Sequence, residues 1–262
     1  MLSTEQIHTF KRDGVLILKQ FFSPEEIDRW KHQVLNYFKQ PQTPADWRTT
    51  LLNTHTTSFY LDKDPTPVNH PKMQQLYACF NPHIKWQGEN ELVARGPEID
   101  AEWLGARAPH LDYPVYAPLR TLANSLFYLK DVSDYGAPMM YWPGSHHIAW
   151  DYYTQHPQDY MTQGELSQDQ VFKRITDRMT GPPVPFSAEA GDLLIWHALM
   201  LHSPSVNKSH SPRLAIIGRW GNQLHKGEER FDFNGDQWQH WQLNAGKCHS
   251  KQSKNPPKCA TA

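Results

Sequence analysis

The sequence predicts an all-β core, a sandwich or barrel of short strands, with helices at its N-terminus and one helical insertion. Two observations carry that expectation. Four short apolar segments in the second half of the chain are separated by turn residues: 122–129, 138–142, 192–196 and 213–220. No regular alternation of such strands with long helices suggests a parallel sheet.

The elements follow in chain order. Ser3 or Thr4 is placed to cap a helix through Ile7, Phe10 and Lys11, which Gly14 ends. Val15-Leu16-Ile17-Leu18 reads as a short buried strand. Ser23-Pro24-Glu25-Glu26 is a strong helix start, with a cap, a proline at the first helical position and acids against the positive end of the dipole. Ile27, Trp30, Val34, Leu35 and Phe38 then mark one apolar face. Residues 39–109 show few clear periods. Ser167 to Met179 repeats apolar residues as a helix does. With 148–183, the stretch 39–109 is expected to form a lid over a substrate, since long connections in small domains are often functional. One domain over 1–245 and a disordered basic tail over 246–262 complete the reading.

Composition limits the partners. Across 262 residues, Lys and Arg number 26 against 27 for Asp and Glu, so no basic excess points to nucleic acid. No run of about 18 apolar residues could span a bilayer. The first residues lack a secretory leader, and three scattered cysteines suit a reducing compartment without a disulfide framework. A cytoplasmic location is the expectation; the oligomeric state is open.

Three motifs bear on chemistry. His110-Leu111-Asp112 on an extended segment directs imidazole and carboxylate to the same side. Gly191-Asp192 precedes an apolar run with two histidines near its end, His197 and His202. Arg213 stands eleven residues after His202, and an antiparallel return would set it beside the strand bearing that histidine. Two His and one Asp can hold three positions on one face of iron(II), and a nearby Arg can grip a carboxylate through two hydrogen bonds. Of the other histidines, His8, His32 and His70 read as surface residues. His146 and His147 read as loop histidines that satisfy carbonyls.

The ordered set resembles the phytanoyl-CoA dioxygenase-like family of iron(II)/2-oxoglutarate oxygenases. It comprises His110-x-Asp112, Pro143-Gly144-Ser145-His146, Gly191-Asp192, and His202 with Arg213 downstream. Asp13-Gly14, Phe22-Ser23-Pro24-Glu25-Glu26-Ile27, Leu129-Lys130-Asp131-Val132 and Gly136-Ala137-Pro138 add to the likeness, which spans about residues 1–220. Asn207 and Ser209 fit the family's pattern, whereas Pro204 replaces a small hydroxyl residue, with Ser203 or Ser205 as substitutes for its hydrogen bond.

The resemblance implies a double-stranded β-helix (a cupin-like jelly roll). It implies His110, Asp112 and His202 as iron ligands, and Arg213 as partner of the distal carboxylate of 2-oxoglutarate, with Asn124 near that co-substrate. It further implies dioxygen as oxidant, release of succinate and CO₂, and hydroxylation of a small molecule. Asp112 fills the position that related halogenases leave open for halide. Arg107, Tyr113 and Trp142 are candidates to contact the substrate, among aromatics such as Trp47, Tyr60 and Tyr116 whose alternative role is core packing. The competing reading is a metal-binding jelly roll without turnover, a sensor or binding module, although a diacid clamp has no evident use there.

Overall fold

The computed structural model describes residues 2–38, 43, 55–59, 61, 64–87, 90–112, 121–162, 165–222, 233, 235–239, 241 and 243. The expected tail at 246–262 lies outside these residues. The elements are α1 (Thr4–Asp13), β1 (Val15–Leu18), α2 (Pro24–Tyr37), β2 (His55–Phe59), α3 (Pro71–Phe80), β3 (Ile84–Trp86), β4 (Asn90–Arg95), β5 (Thr121–Tyr128), β6 (Met139–Tyr141), α4 (Ser145–Gln155), α5 (Gln168–Thr176), β7 (Val184–Phe186), β8 (Leu193–His197), β9 (His202–Ser203) and β10 (Arg213–Asn222). Seven strands form one antiparallel sheet in the order β1-β8-β5-β10-β4-β2, with β3 also on β10. The other three form a small sheet, β7-β6-β9.

Alternation along the strands gives the large sheet two different faces. Ala123, Phe127, Leu193, Ile195, Leu214, Ile216 and Trp220 pack with Phe10 of α1, Trp30 and Val34 of α2, and Tyr77 and Phe80 of α3. Tyr77 stacks on Trp220 with ring centroids 3.6 Å apart. The opposite face turns Leu126, Tyr128, Leu194, Trp196 and Ala215 toward Met139 and Tyr141 of β6 and Phe186 of β7. The N-terminal helices therefore back one side of the sheet and leave the other for the small sheet and the site between them.

Local sequence accounts for the helix starts. Ser3 and Ser23 each accept from the backbone three residues on, while Gln6 and Glu26 reach back to the cap nitrogens. Gly14 ends α1 at φ +74°, and a Cβ there would lie 2.5 Å from His146 Nδ1. Buried Asp192 accepts from Lys19 Nζ at 2.6 Å and from the Gln20 amide at 2.9 Å, so the Gly191-Asp192 motif fastens the turn between β1 and α2.

Several expectations need correction. Among the described residues β1 lies at a sheet edge and pairs only with β8, and Ile17 is exposed. His70 is buried; its Nδ1 accepts from the Lys72 amide, and its Nε2 lies 2.7 Å from Glu26. Residues 71–95 form α3, β3 and β4, so that stretch is sheet and backing helix instead of lid. In 148–183, Trp150, Tyr152, Tyr153, Val171, Phe172 and Ile175 are buried in the main apolar cluster. Cys79 is disulfide-bonded, against the expectation of no disulfide framework. Among the described residues, no helix is long and apolar enough to cross a membrane.

His146 and His147 sit at the start of α4 with both Nε2 atoms on the Lys11 carbonyl, at 3.1 and 2.9 Å. His197 stacks against Trp241, and its ring centroid lies 5.2 Å from that of His146. Burial, reinforced by the charge of His147, pushes His146 down to about 3, and burial lowers His197 as well. The unfolded chain takes up these protons first as pH falls. The contribution of His146 is therefore complete above about pH 6.5 and declines by about 1.4 kcal/mol per pH unit down to its folded value. Urea unfolding across pH 4–6.5 should show this slope, and His146→Asn should flatten it by about one proton; an unaltered slope would contradict the assignment. Gly14→Ala should cost about 2 kcal/mol or more, from the left-handed backbone and the clash with His146 together, read as a lower urea midpoint.

Candidate metal centre

The candidate metal-ligand set is built on a backbone bridge. His110 and His202 exchange both main-chain hydrogen bonds, His110 N to His202 O at 2.8 Å and His202 N to His110 O at 3.0 Å. In an antiparallel pair this puts both side chains on one face, and the rings stand 4.4 Å apart. Asp112, two residues along, falls on the same side. Its Oδ1 is 3.7 Å from His110 Nε2 and its Oδ2 is 3.5 Å from His202 Nε2. The three ligand atoms all lie within 4.8 Å of one another.

Both histidines are held in the same tautomer. Nδ1 of His110 donates to the Ala108 carbonyl at 2.7 Å, and Nδ1 of His202 to the Met200 carbonyl at 3.0 Å. Each Nε2 lone pair is thereby left for the space beside Asp112. Burial lowers His110, helped by the charge of its neighbour. Burial also opposes the proton on His202, but the Asp112 carboxylate outweighs it and raises that residue.

The residues around His202 are fixed by the Pro143-Gly144-Ser145-His146 motif. Ser145 Oγ accepts from the Leu201 amide at 2.8 Å, and the Trp142 amide donates to the Leu201 carbonyl at 3.1 Å. Ser203 Oγ accepts from the amides of Arg107 and Ala108, which ties down the approach to His110, and donates to the Pro204 carbonyl. Ser205 donates to Pro138. Neither hydroxyl has a donor left, so neither takes over the hydrogen bond expected from the position of Pro204.

Arg213 reaches the site from the other sheet. It begins β10, which pairs with β3, β4 and β5, while His202 is on β9 in the small sheet. The expected antiparallel neighbourhood of these two strands is thus replaced by a face-to-face one across the sandwich. Arg213 and the three ligand residues line one cavity of about 170 Å³, walled by Leu126, Met139, Trp196 and Ile217. A larger cleft of about 710 Å³ at the start of α2 shares none of these residues.

Burial weakens the protonated guanidinium of Arg213 to about 10, which leaves it charged at neutral pH. Its Nε has no hydrogen-bond partner among the described residues. The same is true of both amide atoms of fully buried Asn124, which alternation places on the Leu126 face of β5. Unsatisfied buried polar atoms of this kind cost free energy that a polar ligand would recover.

The remaining candidates divide. Arg107 is half-exposed and pairs with Glu98 at 2.7 Å, outside the cavity lining. Trp142 is buried in the main apolar cluster and is not a lining residue. Tyr113, with Trp47, Tyr60 and Tyr116, lies outside the described residues. His197 is buried on the far side of β8 among aromatic rings.

Sequence reasoning missed Glu91, Arg95 and Arg219, all of which line the cavity. Arg219 pairs with Glu91, and its Nη2 lies 4.0 Å from Asp112 Oδ2. Its even spacing from Arg213 on one strand was the available signal. Glu91 and Arg95 could be found only by recognising β4.

Two histidines joined by a backbone bridge and one carboxylate two residues along, facing a cavity, match the ligand class of non-haem iron(II) oxygenases. The chain belongs to the phytanoyl-CoA dioxygenase (PhyH) family, which it matches over residues 10–215. No curated protein matches it. Solved structures that share the fold include the following three. The α-ketoglutarate-dependent epimerase SnoN from nogalamycin biosynthesis is 17% identical, with a TM-score of 0.57 over 83% of this chain and 81% of that one. The carbocyclase SnoK of the same biosynthesis is 18% identical, with a TM-score of 0.58 over 84% of each chain. HygX from Streptomyces hygroscopicus, with nickel and 2-oxoglutarate bound, is 16% identical, with a TM-score of 0.52 over 86% and 88%.

Substitutions distinguish the two neighbouring histidines. His202→Ala removes a ligand whose Nε2 faces Asp112 and should abolish iron(II) retention through dialysis. His197→Ala should keep the metal, with stability reduced by the cavity it opens. Metal analysis of both folded proteins checks this; the reverse pattern would remove His202 from the ligand set.

Proposed function

We propose that this protein is an iron(II)- and 2-oxoglutarate-dependent oxygenase that hydroxylates a small organic molecule, and that its two sheets form a double-stranded β-helix. The observation that carries the reading is the convergence of His110, Asp112 and His202 opposite a buried guanidinium from the facing sheet. When bound, iron(II), 2-oxoglutarate and dioxygen would supply the oxidant, with succinate and CO₂ as co-products.

The side chains fit that set. His110 and His202 would offer ring nitrogens oriented by backbone carbonyls, and Asp112 adds one negative charge. Arg213, which lines the cavity, would hold a distal carboxylate; the unpartnered amide of Asn124, on the same sheet face but not among the lining residues, would be a second polar group for the same diacid. Metal, Asp112, diacid and Arg213 then sum to zero charge, which a buried site requires. Leu126, Met139, Trp196 and Ile217 keep water from the reacting centre. Hydroxylation is the reaction proposed because it needs only one C–H bond directed at the metal and no second reacting group.

Anaerobic protein given iron(II) and 2-oxoglutarate together should develop a visible charge-transfer absorption that neither gives alone, and admission of air should yield succinate. Failure of folded, iron-loaded protein to do either would support the non-catalytic binding module instead. Arg213→Met should weaken 2-oxoglutarate at least about a hundredfold while iron binding largely survives. Titration of the absorption band in the variant measures both; an unchanged affinity would remove Arg213 from the site.

A further inference from the structure

Each histidine of the candidate ligand set is oriented by a backbone carbonyl, and the carboxylate beside them meets a cation. Arg219 approaches Asp112 from the large sheet, with Nη2 4.0 Å from Oδ2, the oxygen that also lies 3.5 Å from His202 Nε2. The other arm of the same guanidinium, Nη1, is paired with Glu91. One planar fork thus serves two carboxylates, whose like charges it keeps compatible.

Strand register builds this bridge. Glu91 of β4 stands directly opposite Ile217 of β10, so Arg219 is its diagonal neighbour on the same face, within reach of a long side chain. On the other flank Arg219 faces Asn124 of β5, which carries no charge. Register therefore brings Glu91 to Arg219 as its carboxylate. The Glu91 side chain is 6% exposed, against 16% for Asp112 and 34% for Arg219. The most deeply buried of the three groups lies on a paired strand and anchors the guanidinium. Because the fork is rigid and planar, fixing one arm sets the direction of the other.

We propose that Arg219 is a positioning residue: anchored by Glu91, it holds the Asp112 carboxylate toward the two histidine Nε2 atoms and limits the charge this carboxylate gives to a bound metal. The proposal rests on the oxygenase reading above and adds to it the group that orients the acidic ligand. A carboxylate that shares its charge with a cation is a weaker donor to a metal. With the cation removed, Asp112 donates more and raises the energy of the metal d electrons. Transfer of charge from the metal to the bound keto acid then takes less energy.

The test compares wild type with Arg219→Met, Arg219→Lys and the double variant Glu91→Gln/Arg219→Met, each given iron(II) and saturating 2-oxoglutarate without air. The double variant removes the Glu91 charge together with its cation, so it separates loss of the bridge from the cost of a buried unpaired carboxylate. The charge-transfer band should move to longer wavelength in Arg219→Met and by the same amount in the double variant. Arg219→Lys should return it most of the way. Affinity for 2-oxoglutarate should stay within about tenfold of wild type, in contrast to the loss expected at Arg213. Loss of iron(II) from both proteins that lack the cation, with retention in Arg219→Lys, would support the same role. If Arg219→Met fails to fold, the double variant and Arg219→Lys carry the comparison. An unmoved band, a shift to shorter wavelength, a shift absent from the double variant or no rescue by lysine would each overturn the proposal. So would failure of all three variants to fold, or a loss of about a hundredfold in 2-oxoglutarate affinity, which would make Arg219 a co-substrate residue. A missing band in the wild type would instead reject the oxygenase reading itself.

Discussion

Two backbone hydrogen bonds between His110 and His202 are the constraint on which the site depends. They join the segment before Asp112 to the small sheet and place the two imidazoles on one face. The side chains follow with little freedom, because each Nδ1 is already committed to a carbonyl two residues earlier. Slipping this bridge by one residue would send one imidazole to the opposite face. The ligand geometry is therefore a matter of strand register first and side-chain choice second.

Register in a two-residue strand such as β9 cannot hold itself, and the surrounding motif residues supply what it lacks. Ser145 and Trp142 take the amide and carbonyl of Leu201, while Ser203 anchors the two amides preceding Pro109. Gly144 in turn donates to Asp13 at the end of α1, and the His197 amide donates to Gly14. This series of contacts carries the packing of the N-terminal helix to the ligand strand. It gives the histidines at 146, 147 and 197 a structural task, distinct from that of His110 and His202.

Much of this was legible because the informative residues are close in sequence. The capped helices, the four later strands and the i, i+2 relation of His110 and Asp112 need only local rules. Arg213 was legible as a candidate clamp residue, but its position was not. Its spacing from His202 suggests a hairpin, yet Ser205, Asn207 and the turn after them carry the chain to the other sheet. The stretch 39–109 hid β4 because Asn90-Glu91-Leu92-Val93-Ala94-Arg95 alternates too weakly to read as a strand, two of its cavity-side positions being charged. The polar residues that obscure the pattern are the ones that serve the cavity. His70 was missed for a related reason: its burial depends on Glu26, a partner forty-four positions away.

The cavity also separates two electrostatic tasks that one arginine could not perform. A guanidinium buried as deeply as Arg213 is costly in isolation, which favours a permanent anionic co-substrate over water at that end. Arg219, more exposed and shared between Glu91 and Asp112, steadies the carboxylate of the ligand set without needing a ligand of its own. Unequal burial of two like charges on one strand, Arg213 and Arg219, lets the same cavity wall meet an anionic ligand and the Asp112 carboxylate differently. Strand pairing holds Arg95 and Arg213 side by side despite their repulsion, so register rather than charge sets where these two guanidinium groups lie.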